Sequence, residues 1–390
     1  MVRKIVPKLR FKEFKSEWKK IKLSNIAVIN PKNSYLPDKF IYIDLESVNK
    51  GILSKKNIVN KNNAPSRAQR TVLLNDILFQ TVRPYQQNNY FVKTLAELPY
   101  IASTGYALIR TTEIPYFIYT ILHKKTFLNK VLDMCTGTSF PAINSNDLGT
   151  IDVKIPEKEE QEKISILLKL LDKKIELQQE KIENLKLYKK GLITNLLNKN
   201  QNTYFKNCFL HIGGTALEKY ITTNSKYRFI SIGNYSSEGT YIDNQQFVKF
   251  NEKTKEKLLN KDDLVMVLND KTSQGKIIGS TILVEQNDLY IYNQRSERII
   301  CKENILPKYA WILLNSTSVR NYIFEKSQGG TQIYINFNEI EKMKLYVPDL
   351  IEQENIINTI FPLLKKIELQ ENKLKQLNDL RTSLLQQMFI

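Results

Sequence analysis

The hexapeptide KKIELQ stands at residues 173–178 and again at residues 365–370, 192 positions later. At the same spacing Ile143 and Asn144 fall on Ile335 and Asn336, Pro156 on Pro348, the run EQE at 160–162 on EQE at 352–354, and Ile164 on Ile356. Upstream, IPYFIYTIL at 114–122 overlays LPKYAWILL at 306–314. A chain rich in charged residues repeats short strings by chance, but not with matching flanks over this range. The 390 residues therefore read as two copies of one unit. A repeat of that length is a duplicated domain, far longer than the roughly 20–50 residues of a solenoid unit.

The two copies of the hexapeptide sit inside long apolar stripes. Ile164, Leu168, Leu171, Ile175, Gln178, Ile182, Leu185 and Leu192 form the first, and Ile356, Ile360, Leu363, Ile367, Gln370, Leu374, Leu377 and Leu384 the second. The steps alternate between four and three, and the interruptions coincide: Gln178 and Lys189 in one copy, Gln370 and Arg381 in the other. Such a stripe, flanked by charge, is the pattern of a coiled coil. Neither helix can bury its stripe alone, so the spacing predicts two helices, each about 38 residues and roughly 55 Å long at 1.5 Å per residue, paired antiparallel about an internal pseudo-twofold axis. Gln178 and Gln370 then either meet in the seam and fix its register, or lie at its edge in water.

What precedes each helix is different in kind. KFIYIDLESVNKGIL and YRFISIGNYSSEGTYI carry β-rich runs ending in turns at Gly51 and Gly239, while NDILFQTV and KDDLVMVL place Asp76 and Asp263 before buried strands. The expected architecture is α+β: mixed globular domains of short strands and helices at 1–156 and 199–348, each followed by one long helix, at 157–198 and 349–390. The chain carries +18 overall, with +13 in residues 1–156 and +5 in 198–348, while the helices are almost neutral. Basic domains with many amide and aromatic side chains suit a polyanion, because Lys and Arg displace counterions from phosphates and Asn, Gln and Arg can pair with base edges.

Other classes fit poorly. Three cysteines (Cys135, Cys208, Cys301) and two histidines (His123, His211), all widely spaced, suit neither a disulfide framework nor a zinc site. There is no apolar run of about 18 residues to span a membrane and no signal-peptide pattern at the basic N-terminus, so the expected location is the cytoplasm. An adenine methyltransferase needs an Asn/Asp-Pro-Pro-aromatic loop and a Gly-rich turn, and NPKN at 30–33 lacks the second Pro and the aromatic. SQGKIIG departs from the P-loop pattern at Ile277. The acids of PDLIEQE sit at a helix start without a lysine, where capping explains them. No catalytic or metal-binding residues are expected.

Two similar domains held apart by a helical pair would touch DNA at two places more than one turn, about 34 Å, apart. The loops differ between copies, which predicts an asymmetric bipartite target. Candidate DNA-binding residues in the first domain are Ser66, Arg67, Gln69, Arg70, Thr81, Arg83, Tyr85, Gln86, Gln87, Asn88, Ser103, Thr104 and Tyr106. In the second they are Asn269, Lys271, Thr272, Ser273, Gln274, Lys276, Asn293, Gln294, Arg295, Thr331 and Gln332. The alternative class is a coiled-coil scaffold that binds nucleic acid without regard to sequence.

The segments PSRAQRTVLLNDILFQTVRP and ASTGYALIR, with the junctions IPEKEEQEKI and VPDLIEQENI, resemble the specificity subunit of bacterial type I restriction-modification systems over essentially the whole chain. Asn75 departs from that pattern, where a Gly usually precedes the Asp. The resemblance implies two target recognition domains and two spacer helices that set the gap between half-sites. It also implies docking of two methyltransferase subunits and of restriction/translocase subunits, which would carry the S-adenosylmethionine, ATP and magnesium that this chain does not bind.

Overall fold

Ile77–Gln80 and Leu264–Val267, the strands that follow Asp76 and Asp263, are buried at every position in the computed structural model, which describes residues 6–32 and 35–390. The first five residues of the basic N-terminal stretch and Asn33 of NPKN lie outside the described residues. Each of these two strands is entered in the same way. Asp76 accepts from the Leu73 amide at 2.7 Å and from Arg110 Nε and Nη2 at 2.8 and 2.7 Å. Asp263 accepts from the Asn260 amide at 2.6 Å and pairs with Arg298 Nη2 at 2.7 Å. The residue before each carboxylate is left-handed, Asn75 at φ 68° and Asp262 at φ 71°. Asn and Asp adopt that conformation more readily than other non-glycine residues, which explains how Asn75 substitutes for a glycine.

The chain divides into two compact units, one containing the residues up to Gln179 together with Lys373–Ile390, the other Glu180–Asn372. In the first unit Tyr106–Thr111 lies between Ala27–Ile29 and Ile77–Gln80 in an antiparallel sheet that Tyr90–Phe91 completes. A second sheet places Tyr100–Ser103 parallel to Lys39–Ile43 and antiparallel to Ala68–Val72. Lys19–Lys22 pairs with Asp152–Ile155, bringing both ends of the globular part together just before the long helix. The second unit repeats this plan. Ser296–Cys301 lies between Phe209–Gly213 and Leu264–Val267, Arg228–Ile230 runs parallel to Tyr290–Tyr292, and Thr203–Tyr204 pairs with Lys344–Leu345.

The long helices are Lys158–Leu197, of 40 residues, and Leu350–Met388, of 39. The division between the units crosses both, so each unit holds the first part of one helix and the last part of the other. In the first unit Ile164 and Leu168 join the domain core together with Met388 and Phe389, and Leu171 and Ile175 pack with Leu374, Leu377 and Leu384. Numbers rise along one helix as they fall along the other, so the pairing is antiparallel. In the second unit Leu192, Ile193, Leu196 and Leu197 pack in one core with Ile356, Ile360 and Leu364, and Lys186 pairs with Glu371 at 2.6 Å. Every residue of the expected seam is buried or half-buried. Gln178 is buried and Gln370 half-buried.

The two charged interruptions in the stripes form ion pairs. Lys189 meets Glu238 at 2.5 Å, and Arg381 donates through Nε and Nη2 to Asp172, which also accepts from the Tyr116 hydroxyl. Seam and domain are thus one packed body within each unit: Phe389 stacks on Phe117 at 5.2 Å and meets Trp18 edge-on at 6.1 Å. No helix among the described residues is long and apolar enough to cross a membrane.

Candidate nucleic-acid interface

In the first unit the loops that carry the candidate residues converge. The Thr104 amide donates to Arg67 O at 2.9 Å, and the register between Ala68–Val72 and Tyr100–Ser103 shifts at Ser103, so Ser66–Arg70 lies against the 103–106 turn. The Thr81 amide and hydroxyl both reach Gly105 O, at 3.0 and 2.8 Å, which joins the 81–88 loop to the same turn. A bridge between Val82 and Ala142 brings in residues 136–142.

Not every candidate side chain is available at the surface. Thr81, Ser103 and Tyr106 are buried, and their hydroxyls bond inward, to Gly105 O, the Gly105 amide and Asp44 O. They hold the turn in shape. Ser66, Arg67, Gln69, Tyr85 and Gln86 are exposed, and Arg70, Arg83, Gln87, Asn88 and Thr104 are half-buried. Gln69 Nε2 donates to Ser66 O at 2.7 Å. Arg70 Nε is buried with no hydrogen-bond partner, and desolvation lowers the guanidinium pKa. An unsatisfied buried donor costs about 1–3 kcal/mol.

Two residues that the sequence reading passed over organise the 81–88 loop. Buried Gln80 donates to Val82 O and Gln86 Oε1, both at 2.8 Å, and accepts from the Asn88 amide at 3.0 Å; buried Asn89 accepts from the Gln80 amide at 2.8 Å. The clue available in the sequence was an amide side chain ending an otherwise apolar strand, ILFQ. A third is Phe140, exposed at 59%, with the Arg83 guanidinium carbon 4.4 Å above its ring. The repeat itself could have found it, because a spacing of 192 puts Ser139 and Phe140 in the places of Thr331 and Gln332.

The second unit builds the corresponding cluster differently. Asn269–Asp270 pairs with Ile333–Tyr334, and the Leu268 amide donates to Arg295 O at 2.8 Å, so the loops 269–276, 293–295 and 331–334 meet. Buried Asp270, unmarked in the sequence reading, shapes the first of these: it accepts from the Thr272 amide (2.9 Å) and hydroxyl (3.0 Å) and from the Ile277 amide (2.8 Å). Arg320 clamps the far side, donating to Lys276 O and Ile278 O at 2.8 Å each. Lys271, Thr272, Ser273, Gln274, Lys276, Arg295, Thr331 and Gln332 are exposed, and Asn269 is half-buried.

Asn293 is buried, accepting from the Leu217 amide at 2.9 Å and donating to Glu218 at 2.8 Å; half-buried Gln294 donates to the same carboxylate oxygen at 2.8 Å. The hydrogen bond from Asn293 leads the effects that lower the Glu218 pKa. A cavity of about 270 Å³ opens here, lined by Glu218, Phe229, Ser231, Gln246, Gln294 and Arg295 among others. Among the described residues no group of His, Cys, Asp or Glu is arranged to hold a metal, and all three cysteines are free.

Two basic loop clusters, wired differently and with different exposed side chains but each on the same strand scaffold in an αβ unit closed by long helices, define a DNA-specificity architecture. Residues 15–187 and 202–379 each match the model of the type I restriction modification DNA specificity domain, and the chain belongs to that family. A curated relative, the type I restriction enzyme HindI specificity subunit of Haemophilus influenzae, is 28% identical over 172 residues, which is 42% of this chain and 37% of that protein's own length. The S subunit of a type I restriction-modification system from M. genitalium shares the fold, with a TM-score of 0.61 at 16% identity over 99% of both chains. So does a chain from a structure of type I R-M complex assembly and conformational transition, with a TM-score of 0.58 at 16% identity over 94% of this chain and 96% of that one.

Proposed function

We propose that this chain is the sequence-reading, non-catalytic subunit of a type I restriction-modification complex, and that its two loop clusters read the two unlike halves of a bipartite DNA target. The observation that carries this is the pairing of likeness and difference. The scaffold beneath each cluster is the same, down to the Asp–Arg pairs at Asp76 and Asp263, while the exposed residues are Arg67, Gln69, Tyr85 and Gln86 in one and Lys271, Ser273, Gln274 and Arg295 in the other. Conserving the frame and varying the contacts is what reading two different sequences requires.

Two N6-adenine methyltransferase subunits dock on the chain, one per repeat, since two repeats offer two equivalent surfaces. Restriction/translocase subunits join them. S-adenosylmethionine, ATP and magnesium act in those partners. The helices serve as the ruler between half-sites, and the complex works in the cytoplasm.

Methylation-aware sequencing of a host with and without this gene, co-expressed with its methyltransferase, tests the reading. The expected result is one asymmetric bipartite motif that appears only when the gene is present. Replacing Gln69 and Arg70 together by Ala should abolish methylation at that motif while the complex still assembles. Sequence-indifferent DNA binding with no methylated motif would instead favour the scaffold class.

A further inference from the structure

Arg83 is fixed more tightly than a side chain waiting for a phosphate needs to be. Its backbone is left-handed, at φ 55°, a conformation uncommon for a long side chain. Two hydrogen bonds hold it there, from the Arg83 amide to Pro141 O at 2.8 Å and from the Gln86 amide to Arg83 O at 3.0 Å. Beyond the backbone, the guanidinium lies over the Phe140 ring, 4.4 Å from its centroid. Among the described residues it has no carboxylate partner, whereas Arg10, Arg110, Arg228, Arg298 and Arg381 each have one.

Phe140 is itself unusual, a large apolar ring exposed at 59% beside a basic loop cluster. A ring under a guanidinium restricts its rotamers and leaves the N–H donors at its edge free for an acceptor pair. The buried Gln80 and Asn89 network supports the same loop from beneath. In the second unit the corresponding turn carries Gln332 in place of Phe140, so the device belongs to one half-site only.

We infer that Arg83 reads a guanine in the half-site of the first domain, through the O6 and N7 acceptors of the major groove, and that Phe140 is the positioning residue that aims it. The guanidinium fork matches two adjacent acceptors on a guanine edge as it does a phosphate, but a base edge, unlike a phosphate, is met only from a fixed direction, and the left-handed backbone and the Phe140 ring fix that direction. This deepens the function proposed above and rests on it.

The test uses the assembled complex and its own methylated motif: absence of any motif would defeat the functional reading and this inference with it, whereas a motif read without Arg83 would defeat the inference alone. Once the motif is known, duplexes are made in which each guanine in turn is replaced by 7-deazaguanine, which lacks N7. The wild-type complex should lose about ten- to a hundredfold in affinity at one guanine of the first half-site. Arg83→Lys and Arg83→Ala should lose a similar factor on the unmodified duplex and be insensitive to 7-deazaguanine at that one position. Phe140→Ala should lose part of the same discrimination, with Phe140→Tyr retaining it and the salt dependence of binding unchanged. Full rescue by Arg83→Lys, or a uniform loss across all sequences with the salt slope reduced by about one, would make Arg83 a phosphate contact and overturn the inference. Wild-type discrimination in Phe140→Ala would remove the ring from it.

Discussion

The Asp172–Arg381 pair offers the sharpest test of how the helices are held. Arg381 interrupts the second stripe, and its guanidinium donates through two nitrogens to Asp172, 29% and 18% exposed respectively at their side chains, with the Tyr116 hydroxyl donating to the same carboxylate. A pair this sheltered has lost most of its hydration, so removing one member strands a charge. Arg381→Met should destabilise the first unit by about 2–4 kcal/mol, somewhat below the cost of breaking a fully buried pair. Asp172→Leu introduces the residue that the repeat places at 364 and should cost a similar amount alone, by leaving the guanidinium unpaired. The triple variant Asp172→Leu, Arg381→Met, Tyr116→Phe has neither charge nor a stranded hydroxyl and should recover to within about 1 kcal/mol of wild type, since apolar replacements of buried pairs are often neutral or better, while the double variant falls short of it by the cost of the Tyr116 hydroxyl, about 1–3 kcal/mol. The coupling energy from this cycle is the quantity to measure. Because the chain has two units, one global unfolding midpoint is a poor readout, and hydrogen exchange on peptides spanning 164–179 and 373–388 against those spanning 350–372 separates them. Additive single effects, or a loss spread equally over both units, would refute the account.

Further expectations concern charge, backbone and length. Desolvation, with Lys154 and Lys130 nearby, lowers the Lys124 pKa from 10.5 to about 8; a depressed lysine opposes folding fully below the folded value and progressively less as pH rises through the interval to the unfolded one. Lys124→Met should therefore stabilise the first unit at pH 7, read as that unit's own unfolding transition from the fluorescence of Trp18 in a Trp311→Phe background, and the gain should shrink between about pH 8 and pH 10.5, whereas a constant gain would count against the assignment. Gly329 sits at φ 112°, and a Cβ there would come within 2.2 Å of Gln332 O, so Gly329→Ala should distort the 328–334 turn and weaken reading of the second half-site while sparing the first, as methylation sequencing would show. Inserting one heptad after Gln178 and another after Gln370 adds about 10.5 Å to each helix and should lengthen the nonspecific gap by roughly three base pairs at about 3.4 Å each without altering either half-site; a gap indifferent to helix length would mean the helices are not the ruler.

The helices and the duplication were legible because a heptad stripe and a 192-residue repeat are direct imprints of packing on sequence. Their surroundings were not. A periodic stripe says that a face is covered but not by what, so the entry of Ile164, Leu168, Met388 and Phe389 into a domain core had no signal of its own. Arg381 looked like a flaw in the stripe, because its partner Asp172 lies 209 positions away. In the loop clusters, residue type pointed to segments that do lie together in each unit, but could not separate side chains that face outward from those that bond inward. Ser, Thr, Asn and Asp serve turns as readily as ligands, which is why Thr81, Ser103 and Asn293 proved internal. Gln80, Asn89 and Asp270 went unmarked for the converse reason: a polar residue beside an apolar run reads as a boundary, not as the keystone of a buried network.

The exchange of helix ends bears on the order in which the molecule is made. Domains generally fold as they leave the ribosome, N-terminal first. Here the first unit lacks Met388 and Phe389, whose side chains close against Trp18 and Phe117, until those two residues have been synthesised. The second unit takes all of its chain from Glu180–Asn372 and can finish earlier. The part translated first is thus the part sealed last, and a nascent chain that stalls short of residue 373 carries an open, basic domain exposed to proteolysis.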